Sequence, residues 1–388
     1  MLPLSLYIHI PWCIKKCPYC DFNSHTLDQK NPGDIPESEY VAALLEDLEQ
    51  DLERYSGAIQ NRPLHSIFFG GGTPSLLSSG AAADLLHGIN KLITVPAGTE
   101  ITLEANPGTF ETEKFKGFFQ AGINRLSIGV QSFNNEHLQK LGRIHDGKQA
   151  IYAIEGAHEA GFTQFNIDLM HGLPGQTHQQ ALADLTTAIE LSPTHLSWYQ
   201  LTIEKNTQFY SYPPLLPAEE QLWRIQETGF EFLKDNGFEQ YEISAFSKAA
   251  SQCKHNLNYW RFGDYLGIGA GAHGKITTTN LETGTVEIQR SHKHKQPTAY
   301  LDASKAFLAG EHTVDNSELP IEFLMNVFRL RKGVDAPLFE QRTGLPLAQI
   351  AEPVERAIKH GLIEPNSAIL RPTSRGSQYL DDLLQLFI

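Results

Sequence analysis

The chain has 388 residues, 41% of them apolar, and carries 31 Lys and Arg against 45 Asp and Glu, a formal net charge of -14. Such a length can bury a large core and divides naturally into two or three domains. The acidic balance excludes nucleic acid as the main partner, because phosphate binding draws on surplus Lys and Arg.

From the N-terminus, short β-rich apolar runs alternate with longer amphipathic ones. Leu4–Ile10, Ser66–Phe69, Glu100–Glu104, Arg125–Val130, Phe165–Leu169 and His195–Leu201 read as strands. Glu39–Tyr55, Ala81–Leu92, Thr112–Ala121, Gly147–Ala160 and Gln179–Leu191 read as the helices between them. Strand, helix and strand at this spacing mean parallel βαβ units. The strand runs are almost unbroken in apolar residues, as when both faces of a sheet are covered. The fold class is therefore α/β, and six such units favour a parallel barrel or partial barrel over a sandwich.

Between these runs, Asp28–Pro36 reads as a polar loop, and Pro213, Pro214 and Pro217 mark a break. Beyond it, Gln221–Asp235 is a further helix and Thr277–Pro297 a polar, alternating hairpin beside the barrel. His292 and His294, set among lysines, read as a solvated turn. From about Glu318 the chain turns helix-rich, with Leu362–Ile363 and Ala368–Arg371 as short wing strands of a winged-helix-like module. From position 311 onward eight Lys and Arg face eleven Asp and Glu, which favours packing or protein interaction over DNA reading. The expected division is 1–220, 221–310 and 311–388. No run reaches the roughly 20 apolar residues of a membrane span, and Leu2–Ile10 lacks the basic start of a signal peptide. The sequence reads as cytoplasmic.

Three of the four cysteines fall within eight residues, Cys13, Cys17 and Cys20, spaced C-x3-C-x2-C. In a reducing compartment such a cluster points to metal or redox chemistry rather than disulfides. Thiolates so spaced can take three irons of a cubane and leave the fourth open to a chelating molecule. A zinc site is the alternative, with His9, His25 or Cys253 as the fourth ligand. Downstream, Gly70-Gly71-Gly72-Thr73-Pro74 follows the second strand, and glycines let a backbone approach a ligand closely. Glu104, Gln131, Arg143 and Asp168 stand at or just beyond successive strand ends, a convergent polar set on one end of a barrel.

The cysteine spacing just after a first strand, with the aromatic Tyr19 before the third Cys, resembles the signature of radical-SAM proteins. That likeness implies a (β/α)6 partial barrel and a [4Fe-4S] cluster on Cys13, Cys17 and Cys20 whose open iron binds S-adenosylmethionine (SAM). Tyr7-Ile-His9-Ile-Pro11-Trp12-Cys13, Glu104-Ala-Asn-Pro-Gly, Gly129-Val-Gln131-Ser-Phe and Asp168-Leu-Met-His-Gly-Leu-Pro narrow the likeness to the coproporphyrinogen-dehydrogenase-like group. It implies SAM contacts from Tyr7, Tyr19, Gly71, Gly72, Thr73, Glu104, Gln131, Arg143 and Asp168, with weaker backbone contacts at Thr202 and His273.

Within that group the chain is most similar to the heme-chaperone branch. Phe22 stands where the true dehydrogenases carry a further Cys, and His255-Asn-Leu-Asn-Tyr259-Trp260 matches the branch's H-N-x-x-Y-W pattern. The resemblance implies His255 as a heme iron ligand beside flat aromatic surface; Cys253 is a rival thiolate ligand. Heme and acceptor heme proteins are the expected partners, membrane-associated respiratory enzymes by family analogy. A homodimer assembled through the cluster is a further expectation. The reading leans away from catalysis. Its alternatives are anaerobic decarboxylation of coproporphyrinogen III and a zinc-stabilised barrel holding a phosphorylated metabolite at Gly70–Thr73.

Overall fold

The computed structural model describes residues 2–27, 35–280, 282–366 and 368–388; the greater part of the expected loop over Asp28–Pro36 lies outside them. Six strands build the core: β1 (Leu4–Ile10), β2 (Leu64–Gly71), β3 (Glu100–Ala105), β4 (Arg125–Gln131), β5 (Phe165–His171) and β6 (His195–Gln200). They lie side by side in chain order and all parallel. Helices α1 (Glu37–Arg54), α2 (Ser79–Leu92), α3 (Thr109–Ala121), α4 (Gly147–Glu159) and α5 (His178–Glu190) return the chain between them. This is the parallel arrangement that the apolar runs predict, in the partial (β/α)6 form that the family resemblance implies.

Local chemistry sets where the helices start. Asp146 and Thr177 form capping boxes with Gln149 and Gln180, which satisfy backbone donors that a helix cannot pair internally. Ser78 caps α2 by accepting from the Ala81 N–H, and the Glu37 carboxylate in turn accepts from the Ser78 N–H and hydroxyl. One acid in the first turn of α1 thus anchors the start of its neighbour.

The sheet runs beyond the barrel at both ends. Asp264–Ile268 pairs parallel with the free edge of β1, and His273–Thr279, Val286–Lys293 and Leu308–Thr313 follow antiparallel. Ala245–Ser247 and Glu239–Gln240 extend the other edge from β6, making twelve strands among the described residues. The hairpin expected over 277–297 therefore belongs to the barrel's own sheet. His292 is not in a solvated turn: it lies in a strand, and its ring stacks on that of His273 at 5.8 Å. Strand alternation buries its neighbour Lys293, which ion-pairs with Asp47 and Asp51 of α1. Those partners lie far away in sequence, so the lysine looks solvated when read locally.

A second core fills the C-terminal part, with Phe323, Phe339 and Leu383 fully buried, and it reaches the sheet through Phe262 and Ile288. The wing is smaller than expected. Ile363 makes one bridge to Pro372, and Ile369–Leu370 pairs back with Val334–Asp335. No helix among the described residues is long and apolar enough to cross a membrane.

Candidate functional site

All six barrel strands point their C-terminal ends to one side, and the cysteines leave β1 there. Trp12–Cys13 pairs with His25–Thr26, and the Leu27 N–H donates to the Cys13 carbonyl at 3.0 Å. The intervening loop is thus closed at its neck. Gly72 explains why β2 can end against it: a Cβ there would sit 2.5 Å from the Trp12 carbonyl oxygen and 2.9 Å from that of Ile10. Gly71, at φ +112°, is left-handed and lies against the His9 ring. The glycine run is therefore required first by backbone packing at the root of the cysteine loop.

Cys13, Cys17 and Cys20 open on one cleft of about 330 Å³, which Tyr19, Gly71, Gly72, Thr73, Glu104, Gln131, Arg143 and Asp168 also line. Each sulfur has a hydrogen-bond partner, Cys20 Sγ meeting the Ser24 hydroxyl at 3.9 Å. The Thr73 hydroxyl donates to Cys13 Sγ at 3.5 Å, and Arg143 Nη1 donates to Cys17 Sγ at 3.6 Å. Asn106 joins these donors, donating a hydrogen bond from Nδ2 to the Thr73 hydroxyl at 2.9 Å and accepting one from Arg143 Nη2 at 2.6 Å. Sequence reasoning missed Asn106, although it stands in the quoted Glu-Ala-Asn-Pro-Gly run. Burial raises the Cys13 and Cys20 thiols above their usual range, with the Thr73 hydrogen bond opposing it at Cys13.

Deeper in the cleft the electrostatics favour a cation. Burial, and then the nearby Asp168 carboxylate, push the Glu104 carboxyl up to about 8, and the Gly71 N–H works against them. Asp168 is also raised by burial, although it accepts from Ser127 and Asn166. A positive group placed here would ionise both acids. Gln131 has φ +70° at a register shift between β4 and β5, and its Oε1 accepts from Tyr199. A bulge of this kind re-aims a side chain, and the strain of a left-handed non-glycine residue concentrates at functional sites.

Four expected site residues stand apart from this cleft: Tyr7, His255 and the two weaker backbone positions, Thr202 and His273. Tyr7 is mid-strand, its hydroxyl on His9 Nδ1 at 3.0 Å. His255 is 1% exposed on helix Lys254–Trp260, which lies across the N-terminal ends of the strands. Its Nδ1 meets the Ser66 hydroxyl at 2.9 Å and its Nε2 the Tyr259 hydroxyl at 2.9 Å, so both ring nitrogens are engaged. Glu100, the first residue of β3, accepts from the backbone N–H groups of Lys254 and His255 and fixes that helix start. Cys253 is buried beside it, its thiol pushed up to about 12 by burial and then by Glu100. Tyr7, Phe68, His195 and His255 surround an interior hollow of about 220 Å³.

The model of the radical-SAM superfamily matches residues 7–187, and that of the HemN C-terminal domain matches residues 314–379. A heme chaperone HemW of Haemophilus influenzae is 53% identical, the alignment spanning 100% of this chain and 98% of the relative. The chain belongs to the HemW family. HemW of Escherichia coli is 47% identical and HemW of Bacillus subtilis 35%, again over nearly the whole of both chains. The solved structure of coproporphyrinogen III oxidase (HemN) from Escherichia coli superposes with a TM-score of 0.80 at 23% identity, covering 100% of this chain and 90% of that one. At that identity the likeness establishes the fold alone.

Radical-SAM membership brings a [4Fe-4S] cluster and SAM, and the donor set suits both. Three thiols line one cleft, with hydrogen-bond donors aimed at two of the sulfurs, as outer partners of metal-bound thiolates are. Among the described residues no three His, Cys, Asp or Glu side chains gather closely enough to hold a single ion. SAM carries an ammonium and a sulfonium, the kind of charge that the Glu104 and Asp168 pair calls for.

Proposed function

We propose that this chain binds heme and passes it to acceptor proteins, on a scaffold that carries a [4Fe-4S] cluster and SAM. The end-to-end identity of 53% to a heme chaperone carries the reading. In it Cys13, Cys17 and Cys20 hold the cluster, with Arg143 and Thr73 donating to their sulfurs. Tyr19, Gly72, Gln131 and Asp168 surround SAM, while Gly71 and Glu104 form the wall towards Tyr7. The cluster and SAM together supply one-electron chemistry. The protein's own part is to hold the sulfurs, bury the acids and shape the cleft.

Phe22, 64% exposed at the cleft mouth, stands where the resemblance places a further Cys in the dehydrogenases, which fits a carrier better than a decarboxylase. A cytoplasmic location, a membrane-associated acceptor and a homodimer assembled through the cluster complete the reading.

Anaerobically reconstituted protein, titrated with hemin and followed in the Soret band, should saturate near one heme per chain and then yield that heme to an apo heme protein. Absence of specific uptake, together with decarboxylation of coproporphyrinogen III in the presence of SAM and a reductant, would overturn the proposal.

A further inference from the structure

A third hollow is larger than both the cysteine cleft and the interior hollow. About 620 Å³ in volume, it adjoins the cysteine cleft across Gly71 and Glu104. The interior hollow around His255, at 220 Å³, falls below the roughly 300–1,000 Å³ of pockets that hold drug-sized ligands. A tetrapyrrole is larger than most such ligands. The third cleft is within that range and open on one side.

Its walls combine aromatic and basic side chains with imidazoles, and the acids Asp21 and Glu104 also line it. Tyr259 and Tyr265 meet edge to face at 4.5 Å on one side, and the exposed Phe22 lies on another. Lys16 and Lys295 reach the same space, positive groups for a pair of propionates.

Three histidines line it, and their hydrogen bonds separate them. His9 is buried, with Nδ1 on Tyr7 and Nε2 on the Asn23 carbonyl. His25 Nε2 contacts the Lys295 carbonyl at 3.1 Å. His273 is exposed, and its imidazole takes part in none of the hydrogen bonds among the described residues. Partial burial of the ring, then His292, Lys295 and Arg290, lower its pKa, which favours the neutral ring that binds iron.

The backbone that presents His273 is fixed. Asn23 Nδ2 donates to the Ala270 and Lys295 carbonyls, both at 2.9 Å, and Gly267 leaves the space that the His273 backbone occupies. A ligand held this way is pre-organised.

We propose that heme occupies the cleft between Phe22 and the Tyr259–Tyr265 pair with its iron on His273, and that His255 is a positioning residue acting through Tyr259. The inference rests on the heme-carrier reading and names the site and ligand within it. His255 would have to break two hydrogen bonds and leave the core to reach iron, whereas His273 breaks none.

The test is hemin titration of the full chain, anaerobically reconstituted, beside His273→Ala and His255→Ala, with far-UV circular dichroism as the check on folding. His273→Ala should keep the fold, lose the histidine-ligated Soret and visible bands, and bind heme at least about tenfold more weakly, a loss of about 1.4 kcal/mol. Added imidazole should restore the bands. His273→Met should shift them to those of a thioether-ligated heme, a readout independent of affinity. His255→Ala should keep the wild-type bands while its affinity falls.

Wild-type bands and affinity in His273→Ala would overturn the ligand assignment alone. Loss of the bands in a folded His255→Ala, with rescue by imidazole, would do the same and assign the iron to His255. A wild-type chain that takes up no heme would overturn the carrier reading and this inference together.

Discussion

Arg143 and Cys17 are joined by a hydrogen bond, Nη1 to Sγ at 3.6 Å, although 126 positions separate them in the chain. Nη2 of the guanidinium is held by Asn106 Oδ1 and the Gly129 carbonyl, and Asn106 also donates to Thr73, which donates to Cys13. Two of the three sulfurs are thus coupled through one relay whose central member is an uncharged amide.

Breaking that relay should loosen the cluster without unfolding the barrel. Asn106→Ala takes that amide from Thr73 and leaves Arg143 Nη2 on the Gly129 carbonyl alone. Losses of outer partners at metal sites run to about 10–100-fold in affinity or activity. Iron and sulfide should therefore be lost to chelator faster in the variant, while far-UV circular dichroism is unchanged. Equal chelation rates would mean that the relay is incidental to the cluster.

Glu104 ties SAM binding to pH. Its carboxyl is pushed up to about 8 in the protein against about 4.3 in an unfolded chain. Between those values the folded state holds a proton that the unfolded state has released, so this group's stabilisation is present at low pH and is lost as pH rises through 8. A bound cation reverses the preference, since it favours the carboxylate. SAM affinity should rise from pH 6 to 8 with release of a proton, measurable by calorimetry in buffers of different ionisation enthalpy. Glu104→Gln should abolish the proton release and flatten the profile; an unchanged profile would assign the titration elsewhere.

The barrel is legible in the sequence because strands covered on both faces leave unbroken apolar runs; Leu4–Ile10 is both the run and the strand. The cysteine spacing is legible because a cluster needs three thiols at short range. What the sequence hides is long-range pairing. Nothing local in Asp264–Ile268 says that it lies against β1, and nothing in Lys293 names Asp47. His255 shows a different limit. Its spacing to Tyr259 and Trp260 is the same whether the ring binds iron or braces a tyrosine, and only the partners of its two nitrogens separate these roles.

Gly72 has a sharper requirement than ligand approach alone. Since a Cβ would strike the carbonyl oxygens of Trp12 and Ile10, Gly72→Ala must displace the backbone that leads into Cys13. Overpacking of this sort costs about 1–3 kcal/mol. The variant should melt at a lower temperature and retain less iron after reconstitution. A normal Tm with full iron content would show that the β1–loop junction can give way freely.

The Lys293 ammonium lies buried between two carboxylates of α1. Asp47 also accepts from Tyr300 and from the Gly269 N–H, so this cluster fastens the extension of the sheet to the barrel's first helix. Burial raises both acids against the pull of Lys293, Asp51 to about 6. Lys293→Met leaves them without a counter-charge, and breaking a buried pair from one side costs about 3–5 kcal/mol. Without the ammonium the carboxyls must stay protonated to remain buried, and that becomes harder as pH rises above 6. The loss in denaturant midpoint should therefore be larger at pH 8 than at pH 5.5. Adding Asp47→Asn should recover part of it by removing one stranded charge. Equal losses at both pH values would mean that water reaches the cluster and screens it.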